Sequence, residues 1–544
     1  MDKKFLTSRK RRYILIYPIF FALFPALSLY VYNLQQVQFS EVVWSILLIF
    51  MSALLIWFGL QRLVRVPHKP AIITTIFIIF FFSYGHVIRA ASYLLNALGM
   101  LSTRQNLVRG EFADVLWLLI WTGMILFFTF VIVKYQKDLE FASQVLNVCS
   151  IVALSTVLFN WILFEYRQPA DKIQKFITQW ISSLPYKVSS NTINPQGTLP
   201  DIYYIILDGM GSEDVLKDYY QANISKFHTY LAQKGFYIAD QSRSNYAWTE
   251  LSLASSLNFM YLDGLRSLGP DTSDITPLEI MVEKNLLFNI LRAHGYRIIT
   301  FSDEYPLTNI TSADAYLAPQ RWVINAFQYE LINTTPLPAL FRVLSSKTPY
   351  DFHRDHVLFM FENLVPTQKR EQPSFIFAHF MVPHPPFVFG SHGESLSSDA
   401  EFSFNFGIDK AGGKDKYIAG YRDQVDFVTT RIMPELDKIL VNSSRPALVI
   451  IQGDHGPGLN LDWNSLDNTD LNERMSIFNA YYFFDKNYQH LSSDISPVNT
   501  FRIILNQYFD IKLPLLPNKS YFTRVYRPYD FIEVTGRLIK VPVR

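Results

Sequence analysis

The sequence predicts an α/β fold in two parts: an N-terminal bundle of five transmembrane helices, then an extracytoplasmic domain with a largely parallel central sheet. Five apolar stretches precede residue 166, each near the roughly 20 residues that span a bilayer as a helix. After residue 200, short β-branched or aromatic runs alternate with longer amphipathic segments. This alternation is typical of parallel strands joined by crossover helices.

Length and composition set the broad class of protein. A chain of 544 residues is too long for one compact core, so at least two domains are expected. The net charge of +2 gives no reason to expect a nucleic-acid partner. The single cysteine, Cys149, falls in the fifth apolar stretch, so disulfides cannot stabilise the outer domain.

The apolar stretches define a multi-pass membrane protein. They run over residues 13–32, 42–63, 71–95, 115–133 and 142–164. Lysines and arginines cluster before the first stretch, while the loops on the opposite side carry only Arg104 and Arg109. The positive-inside rule therefore places the N-terminus in the cytoplasm. Five spans would then leave everything after residue 164 outside.

The predicted domain boundaries are 1–166 for the membrane part, 167–199 for a juxtamembrane helix and linker, and 200–544 for the outer domain. Apolar residues recur at helical spacing in the second part, which predicts an amphipathic helix on the outer membrane surface or against the outer domain. These residues are Ile173, Phe176, Ile177, Trp180, Ile181 and Leu184. A polar stretch rich in turn-forming residues, 185–200, follows as the linker.

The outer domain has a regular order of predicted elements. The strands are 202–207, 236–239, 297–301, 374–379, 447–452 and 476–483. The helices include 224–234, 249–258, 286–294, 357–364, 417–440 and 498–508. In sheets of this kind, functional sites collect at the carboxyl ends of the strands.

Three predicted strands end in side chains that can bind a metal. Asp208 follows the first strand, Asp454 and His455 follow the strand 447–452, and the strand 374–379 ends at His379, with His384 shortly after. An acid at a single strand end is usually a cap or turn residue. Three such ends at one edge favour a metal site with mixed oxygen and nitrogen ligands, which suits Mn²⁺, Mg²⁺ or Zn²⁺.

Thr249 lies where an apolar helical pattern begins. A threonine there can serve as an N-cap. The helix N-terminus also favours an anion, and a threonine that coordinates a metal becomes a nucleophile. Both interpretations remain open from these residues alone.

In order and spacing, these residues resemble the alkaline phosphatase superfamily, and within it the sulfatase-like membrane enzymes of the lipoteichoic acid synthase and phosphoethanolamine transferase type. The resemblance covers roughly residues 200–485 and implies an alkaline-phosphatase-like catalytic domain. It also implies that Asp208, Thr249, Asp454 and His455 hold the catalytic metal and that Thr249 forms a covalent intermediate. His379 and His384 match the spacing of a histidine pair that lies, in the phosphoethanolamine transferases, at the substrate side or at a second metal.

Two departures from the family pattern change the expected chemistry. Sulfatases carry Cys or Ser followed by x-Pro-x-Arg, and the sequence from Thr249 to Leu253 lacks this pattern. Members with two metals have a histidine downstream of the Asp-His pair, and residues 459–484 contain none. One divalent cation is therefore expected. Arg474 is expected either to pair with phosphate oxygens or to form a salt bridge with a nearby acid, and Arg243 to help orient the phosphate.

The expected function is a metal-dependent transfer of a phosphoryl group of the phospholipid-headgroup type at the outer membrane face. The substrate would be a membrane lipid or an envelope glycan. Two alternatives stay open: a sulfatase-like phosphodiesterase or other ester hydrolase, and a non-catalytic membrane binding or scaffold protein.

Overall fold

The computed structural model of the protein describes most of the chain. The described residues are 14–34, 37, 39–66, 68–97, 111–167, 175, 179, 199–269, 271–302, 304–305, 308–319, 326–344, 347–365, 372–396, 402–442 and 445–538. The chain divides into two compact units. One comprises Met1–Pro169 and Ile324–Ser346, and the other comprises Ala170–Val323 and Lys347–Arg544.

The elements follow one another in a mixed α/β order. The helices are α1 (Tyr17–Tyr32), α2 (Phe39–Leu63), α3 (His68–Ala97), α4 (Glu111–Lys134), α5 (Glu140–Arg167), α6 (Glu213–Tyr220), α7 (Ser225–Lys234), α8 (Thr249–Leu257), α9 (Thr276–Glu283), α10 (Leu286–Ala293), α11 (Ala326–Asn333), α12 (Leu337–Leu344), α13 (Pro349–Asn363), α14 (Ile408–Ala411), α15 (Lys414–Asn442), α16 (Leu471–Met475) and α17 (Pro497–Tyr508). The strands are β1 (Asp201–Leu207), β2 (Tyr237–Ile238), β3 (Arg297–Phe301), β4 (Ala315–Leu317), β5 (Ser374–Phe380), β6 (Ala447–Gln452), β7 (Asn479–Phe483), β8 (Tyr521–Arg524) and β9 (Arg527–Glu533).

Within the described residues, four helices, α2 to α5, are long and apolar enough to cross a membrane. Helix α1 is apolar but has only 16 residues. At 1.5 Å per residue it is about 24 Å long, which is less than the roughly 30 Å of a hydrocarbon core. The predicted count of five spans is therefore not confirmed. The protein is a multi-pass membrane protein with four candidate spans in this part of the chain.

The segment Ile324–Ser346 groups with the membrane helices, although the sequence places it inside the outer domain. Its Arg342 guanidinium donates to both carboxylate oxygens of Asp114 on α4, at 2.6 and 2.9 Å. On α3, the Gly85 N–H donates to the main-chain oxygen of Thr334 at 2.9 Å. A Cβ at Gly85 would lie 1.9 Å from the Asn333 main-chain oxygen, so this close approach requires glycine.

The second unit is built on a seven-stranded sheet in the order β2-β7-β6-β1-β5-β3-β4. The central strands β6, β1, β5 and β3 are parallel, and β7 runs antiparallel to β6. Strand β1 lies in the middle, with Ile206 paired to His379 on one side and to Gln452 on the other. The carboxyl ends of β1, β5 and β6 therefore meet at one edge.

Both faces of this sheet are covered, which explains its continuous apolar strands. Alternate residues of β1 point to opposite sides, so that Tyr204 and Ile206 pack into one core and Ile205 and Leu207 into the other. The first core contains helices α8 to α10 and α17, and the second contains α6, α7, α13 and α15. The result is a three-layer α/β/α arrangement with a largely parallel sheet, as predicted.

The element boundaries differ from prediction in two informative places. Strand β7 begins at Asn479, later than predicted, because Ser476 and Ile477 form isolated bridges with Arg243 and Gly211 instead. Helix α13 begins two turns earlier than predicted. Thr348 and Asp351 form a capping box there, which satisfies free N–H groups at the helix start. The apolar residues of the predicted juxtamembrane helix, Ile173, Phe176, Ile177, Trp180, Ile181 and Leu184, lie outside the described residues.

The ion pair between Arg342 and Asp114 gives a first prediction. The Asp114 side chain is only 5% exposed, so Arg342→Ala would leave its charge buried and unpaired. We expect this change to lower the free energy of unfolding by about 2–3 kcal/mol. The double variant Arg342→Ala/Asp114→Ala should recover most of that loss, because no buried charge remains. Thermal unfolding of the detergent-purified protein measures both, and equal losses in the single and double variants would contradict the prediction.

Candidate active site

Three acidic or imidazole side chains meet at the carboxyl edge of the sheet. Asp208 follows β1, and Asp454 and His455 lie just after β6; each is at most 1% exposed. One ligand atom from each residue lies within 4.8 Å of the others. His455 Nε2 is 3.3 Å from Asp454 Oδ2 and 3.7 Å from Asp208 Oδ1. The three side chains therefore converge on one point.

Thr249 joins this cluster as the first residue of α8. Its Oγ1 lies 2.9 Å from His455 Nε2 and 3.5 Å from Asp208 Oδ2. The N-cap of α8 is Trp248, whose side chain makes no capping bond. The interpretation of Thr249 as the N-cap of this helix is therefore wrong. Because Thr249 is at the first helical position, its hydroxyl faces the cluster and the adjacent N–H groups favour an anion.

The donor set fits a divalent cation. Among the described residues, the buried oxygens Asp208 Oδ1 and Asp454 Oδ2 have no hydrogen-bond partner. Two unpartnered carboxylate oxygens in a buried site are costly unless a cation compensates them. Two carboxylates and one imidazole suit Mn²⁺, Mg²⁺ or Zn²⁺ and do not select among them.

The site shifts the pKa values of its own groups. Burial and the nearby Asp208 charge raise the pKa of Asp454 to about 6. Burial also acts to raise the pKa of Asp208, but the charge of His384 and the contact with His379 outweigh it and hold that pKa below its usual range. The two carboxylates are thus pushed in opposite directions, as expected for like charges sharing one site.

His455 is held in its neutral form. Burial, followed by the charge of Arg474, lowers the pKa of its imidazole well below the usual value. Its Nδ1 lies 3.0 Å from the main-chain oxygen of Gly456. In the neutral ring, Nδ1–H donates to that oxygen, which leaves the Nε2 lone pair directed at Thr249 and the carboxylates.

The two predicted substrate-side histidines lie beside the cluster. His379 Nε2 is 3.2 Å from Asp208 Oδ2, and its side chain is buried. The His384 N–H donates to the Asp208 main-chain oxygen at 3.0 Å, and its ring is half-buried. A Cβ on Gly209, which has φ +70°, would lie 3.9 Å from both the His384 and the His455 rings. Gly209 thus lies between them.

Arg474 connects the chain just before Thr249 to the loop after β6. Its Nε donates to the Ala247 main-chain oxygen at 2.7 Å, and its Nη1 donates to that of Gly456 at 2.9 Å. The guanidinium also lies over the Trp248 ring, 5.7 Å from the centroid. Two of its donors therefore fix the chain on either side of the site.

Arg243 and Glu473 contact neighbouring segments of the same domain. Arg243 forms an isolated β-bridge with Ser476 and interacts electrostatically with Asp214. The Glu473 carboxylate accepts bonds from the Leu459 and Asn460 N–H groups, from the Asn460 side chain and from the Tyr220 hydroxyl. Within the described residues a single cluster has metal-ligand geometry, and Glu473 is already committed to these donors.

Sequence reasoning missed the residues that hold Asp454 in place. The hydroxyls of Ser244 and Ser252 donate to its main-chain oxygen, each at 2.7 Å. The Gly209 N–H donates to its Oδ1 at 3.0 Å. These contacts join residues more than 200 positions apart, so no local pattern indicates them. The serines that flank Thr249 in the sequence are the local feature that could have indicated such contacts.

The chain is similar to proteins of known family and structure. The sulfatase family model matches residues 200–493, and a search of curated proteins finds no match. The chain is similar to the integral membrane lipooligosaccharide phosphoethanolamine transferase A of Neisseria meningitidis, at 12% identity over 90% of this chain and 95% of that chain, with a TM-score of 0.38. It is also similar to the C-terminal periplasmic domain of phosphoethanolamine transferase EptC of Campylobacter jejuni (13%, 64% and 97%, TM-score 0.37). A third similar structure is BT1596, a 2-O GAG sulfatase (13%, 60% and 73%, TM-score 0.36).

The structural likenesses have TM-scores below 0.5 and assign no activity. The match to the sulfatase family model does show the family of this chain, because it covers more than half of the 544 residues. It includes Asp208, Thr249, Asp454 and His455. The chain therefore belongs to the sulfatase family and is an enzyme of the alkaline phosphatase superfamily.

Proposed function

We propose that the protein is a metal-dependent transferase that moves a phosphoryl-linked headgroup from a membrane lipid through a covalent intermediate on Thr249. The observation that carries the proposal is the position of the Thr249 hydroxyl, 2.9 Å from His455 Nε2 at the start of a helix. A hydroxyl at this point can attack a phosphorus atom whose anionic oxygens face the helix N-terminus.

Asp208, Asp454 and His455 would hold the divalent cation, with Thr249 as a fourth ligand. A bound cation would lower the pKa of the Thr249 hydroxyl and stabilise negative charge on the phosphoryl oxygens. Arg474, Ser244 and Ser252 position Thr249 and the loop that carries Asp454 and His455. Arg474 is therefore a positioning residue in this proposal, and Arg243 is proposed to help orient the phosphate.

The proposed reaction has two displacements. Thr249 releases its proton to solvent as Oγ1 forms a bond to phosphorus, and the bond from phosphorus to the lipid alcohol oxygen breaks. His384 donates a proton to that leaving oxygen, while His379 orients Asp208. The acceptor hydroxyl then gives its proton to His384 and forms a bond to phosphorus, the bond from phosphorus to Thr249 Oγ1 breaks, and Thr249 takes a proton back from solvent. Residues 1–166 anchor the enzyme with the N-terminus in the cytoplasm, and residues 200–544, apart from Ile324–Ser346, form the catalytic domain at the outer face.

Phosphoryl chemistry is favoured over sulfate-ester hydrolysis by the residue at the nucleophile position. Sulfate esters in this family are cleaved by a formylglycine made from Cys or Ser in a Pro- and Arg-containing motif. Here the segment reads Thr249-Glu250-Leu251-Ser252-Leu253. Hydrolysis of a phosphodiester stays the second candidate, because water can replace the acceptor hydroxyl in the second displacement.

The nucleophile prediction concerns Thr249. Thr249→Ala should lower headgroup release from phospholipid by at least about 10³-fold, because it removes the attacking atom. Thr249→Ser should keep measurable activity, since it retains a hydroxyl. Mass spectrometry of the protein incubated with membrane lipids should find a phosphoryl-headgroup adduct on Thr249. The exposed Thr311→Ala is the matched control and should behave like the unmodified protein; unchanged release in Thr249→Ala would refute the role.

The metal prediction concerns Asp454. Asp454→Asn should abolish most of the bound divalent metal, as measured by elemental analysis after dialysis. Without metal, the variant should be as stable as the parent protein or more so, because the repulsion with Asp208 is gone. The parent should gain about 2.7 kcal/mol at 100 times the dissociation constant of the added metal, and the variant should not. Asp467→Asn, with a side chain 92% exposed, is the control; equal metal content in Asp454→Asn would exclude this ligand set.

Transfer and hydrolysis are separated by product partition. A purified enzyme given phospholipid and rising concentrations of an alcohol such as glycerol should form headgroup-alcohol product at the expense of free headgroup phosphate. The total release should stay constant if breakdown of the Thr249 adduct is not rate-limiting. Product composition independent of the alcohol concentration would identify the protein as a hydrolase.

A further inference from the structure

A short helix within the sequence of the outer domain has the apolar surface of a membrane helix. This helix is α12, and Arg342 is its only charged residue. Four of its eight side chains are apolar and at least 40% exposed: Leu340, Phe341, Val343 and Leu344. Exposing so much apolar surface on two helical turns is unfavourable in water, so this face is expected to meet an apolar partner.

The other side of α12 packs against two membrane helices. Ala339 is buried in a cluster with Tyr84 of α3 and Trp121 of α4. One turn further on, Arg342 forms its ion pair with Asp114 of α4. The exposed apolar face of α12 therefore continues the exposed apolar surface of helices that themselves cross the membrane.

The level of α12 in the membrane follows from these contacts. Lys69 Nζ donates to the Val133 main-chain oxygen at 2.7 Å, and a lysine head group marks the edge of the apolar core. At 1.5 Å per residue, Asp114 lies about 28 Å from Val133 along α4, and Trp121 lies about 18 Å from it. A hydrocarbon core is roughly 30 Å thick. The contacts of α12 therefore fall in the half of the core far from Lys69, where Leu119 of α4 is also exposed.

The turn that joins α11 to α12 is suited to an apolar environment. Thr334 and Thr335 are buried there, and their hydroxyls donate to the main-chain oxygens of Leu331 and Ile332 at 2.7 and 2.6 Å. The Thr334 main-chain oxygen accepts the Gly85 N–H of α3. Non-helical backbone is tolerated at membrane depth only where its polar groups are paired in this way.

We propose that α12 is embedded in the bilayer and that its exposed apolar face contacts the acyl chains of phospholipids in the outer leaflet. Helix α11 carries the exposed Glu330, so α11 is assigned to the level of the headgroups and α12 alone to the level of the acyl chains. The catalytic domain is thereby anchored at a second place in its sequence. The word outer rests on the orientation proposed above, whereas the contact with lipid does not.

The first test measures the contact with lipid directly. The full-length protein with Cys149→Ser and one new cysteine is labelled with an environment-sensitive fluorophore and reconstituted into phosphatidylcholine vesicles. Phe341→Cys is the tested variant. Leu126→Cys on α4 is the membrane control, and Val441→Cys on α15 is the control for water, because both native side chains are apolar and exposed.

Lipids brominated on their acyl chains should quench the labels on Phe341→Cys and Leu126→Cys at least about twofold, because the bromine atoms reach only groups at acyl-chain depth. The label on Val441→Cys should respond instead to iodide in the water. A label on Phe341→Cys that responds to iodide overturns the proposal. Shielding of that label from both quenchers also overturns it, because a second protein copy would then cover this face.

The second test changes the polarity of the same face. In vesicles, Phe341→Asp/Leu344→Asp should lower the midpoint of thermal unfolding by at least about 4 °C, since carboxylates are costly at acyl-chain depth. The apolar exchange Phe341→Leu/Leu344→Phe and the control Val441→Asp should leave the midpoint unchanged. An unchanged midpoint in the double aspartate variant overturns the proposal. None of these measurements needs a metal or an adduct on Thr249, so the proposed function can fail while the lipid contact stands.

Discussion

Two carboxylates, Asp208 and Asp454, are fixed side by side at the buried edge of the sheet, and their mutual repulsion is the constraint to which the surrounding structure responds. Neither has access to water that could screen its charge. Each follows a strand buried on both faces, β1 and β6, and these strands are direct neighbours. The sheet topology therefore forces the two charges together before any ligand is present.

The neighbouring groups respond to this charge in two ways. The Gly209 N–H and the positive side of His379 approach the carboxylates directly. The hydroxyls of Ser244 and Ser252 hold the Asp454 backbone, so the pair cannot move apart easily. Two carboxylate oxygens are left without a partner among the described residues. This residual charge favours a cation over a neutral water molecule at this point.

Arg474 stabilises the chain on both sides of the cluster, although it is not one of the residues that could hold a cation. It binds main-chain oxygens on both sides of the cluster, and the Gly456 N–H donates back to its own oxygen at 2.7 Å. A Cβ at Gly456 would lie 2.0 Å from the Glu473 main-chain oxygen. The loop after β6 is therefore packed against backbone from two directions, so even an alanine at Gly456 would have to displace it.

The sequence predicts the parts of this arrangement that are local in the chain. Strands β3 and β6 have the predicted bounds, and Asp208, Thr249, Asp454 and His455 stand out in the sequence because each lies at the end or start of a strongly patterned element. Helix α12 and the serines around Asp454 carry no such local signal. Their partners lie more than 200 residues away, as for Arg342 with Asp114, and short elements such as β4 carry too few residues to show a period.

The grouping of Ile324–Ser346 with the membrane helices has a consequence for the connectivity of the molecule. The chain passes between the two compact units three times, after Pro169, after Val323 and after Ser346. A single proteolytic cut between residues 169 and 199 would detach Met1–Pro169 from the rest of the chain, whereas Ile324–Ser346 of the same unit would stay covalently bonded to the second unit at both of its ends. A fragment that starts at residue 200 would in turn carry the apolar side chains of Phe341 and Leu344, which are exposed even in the intact chain, without the helices against which that segment packs. Each unit is therefore built from two separate stretches of the chain. Dividing the gene at one point cannot yield either unit whole and free of the other.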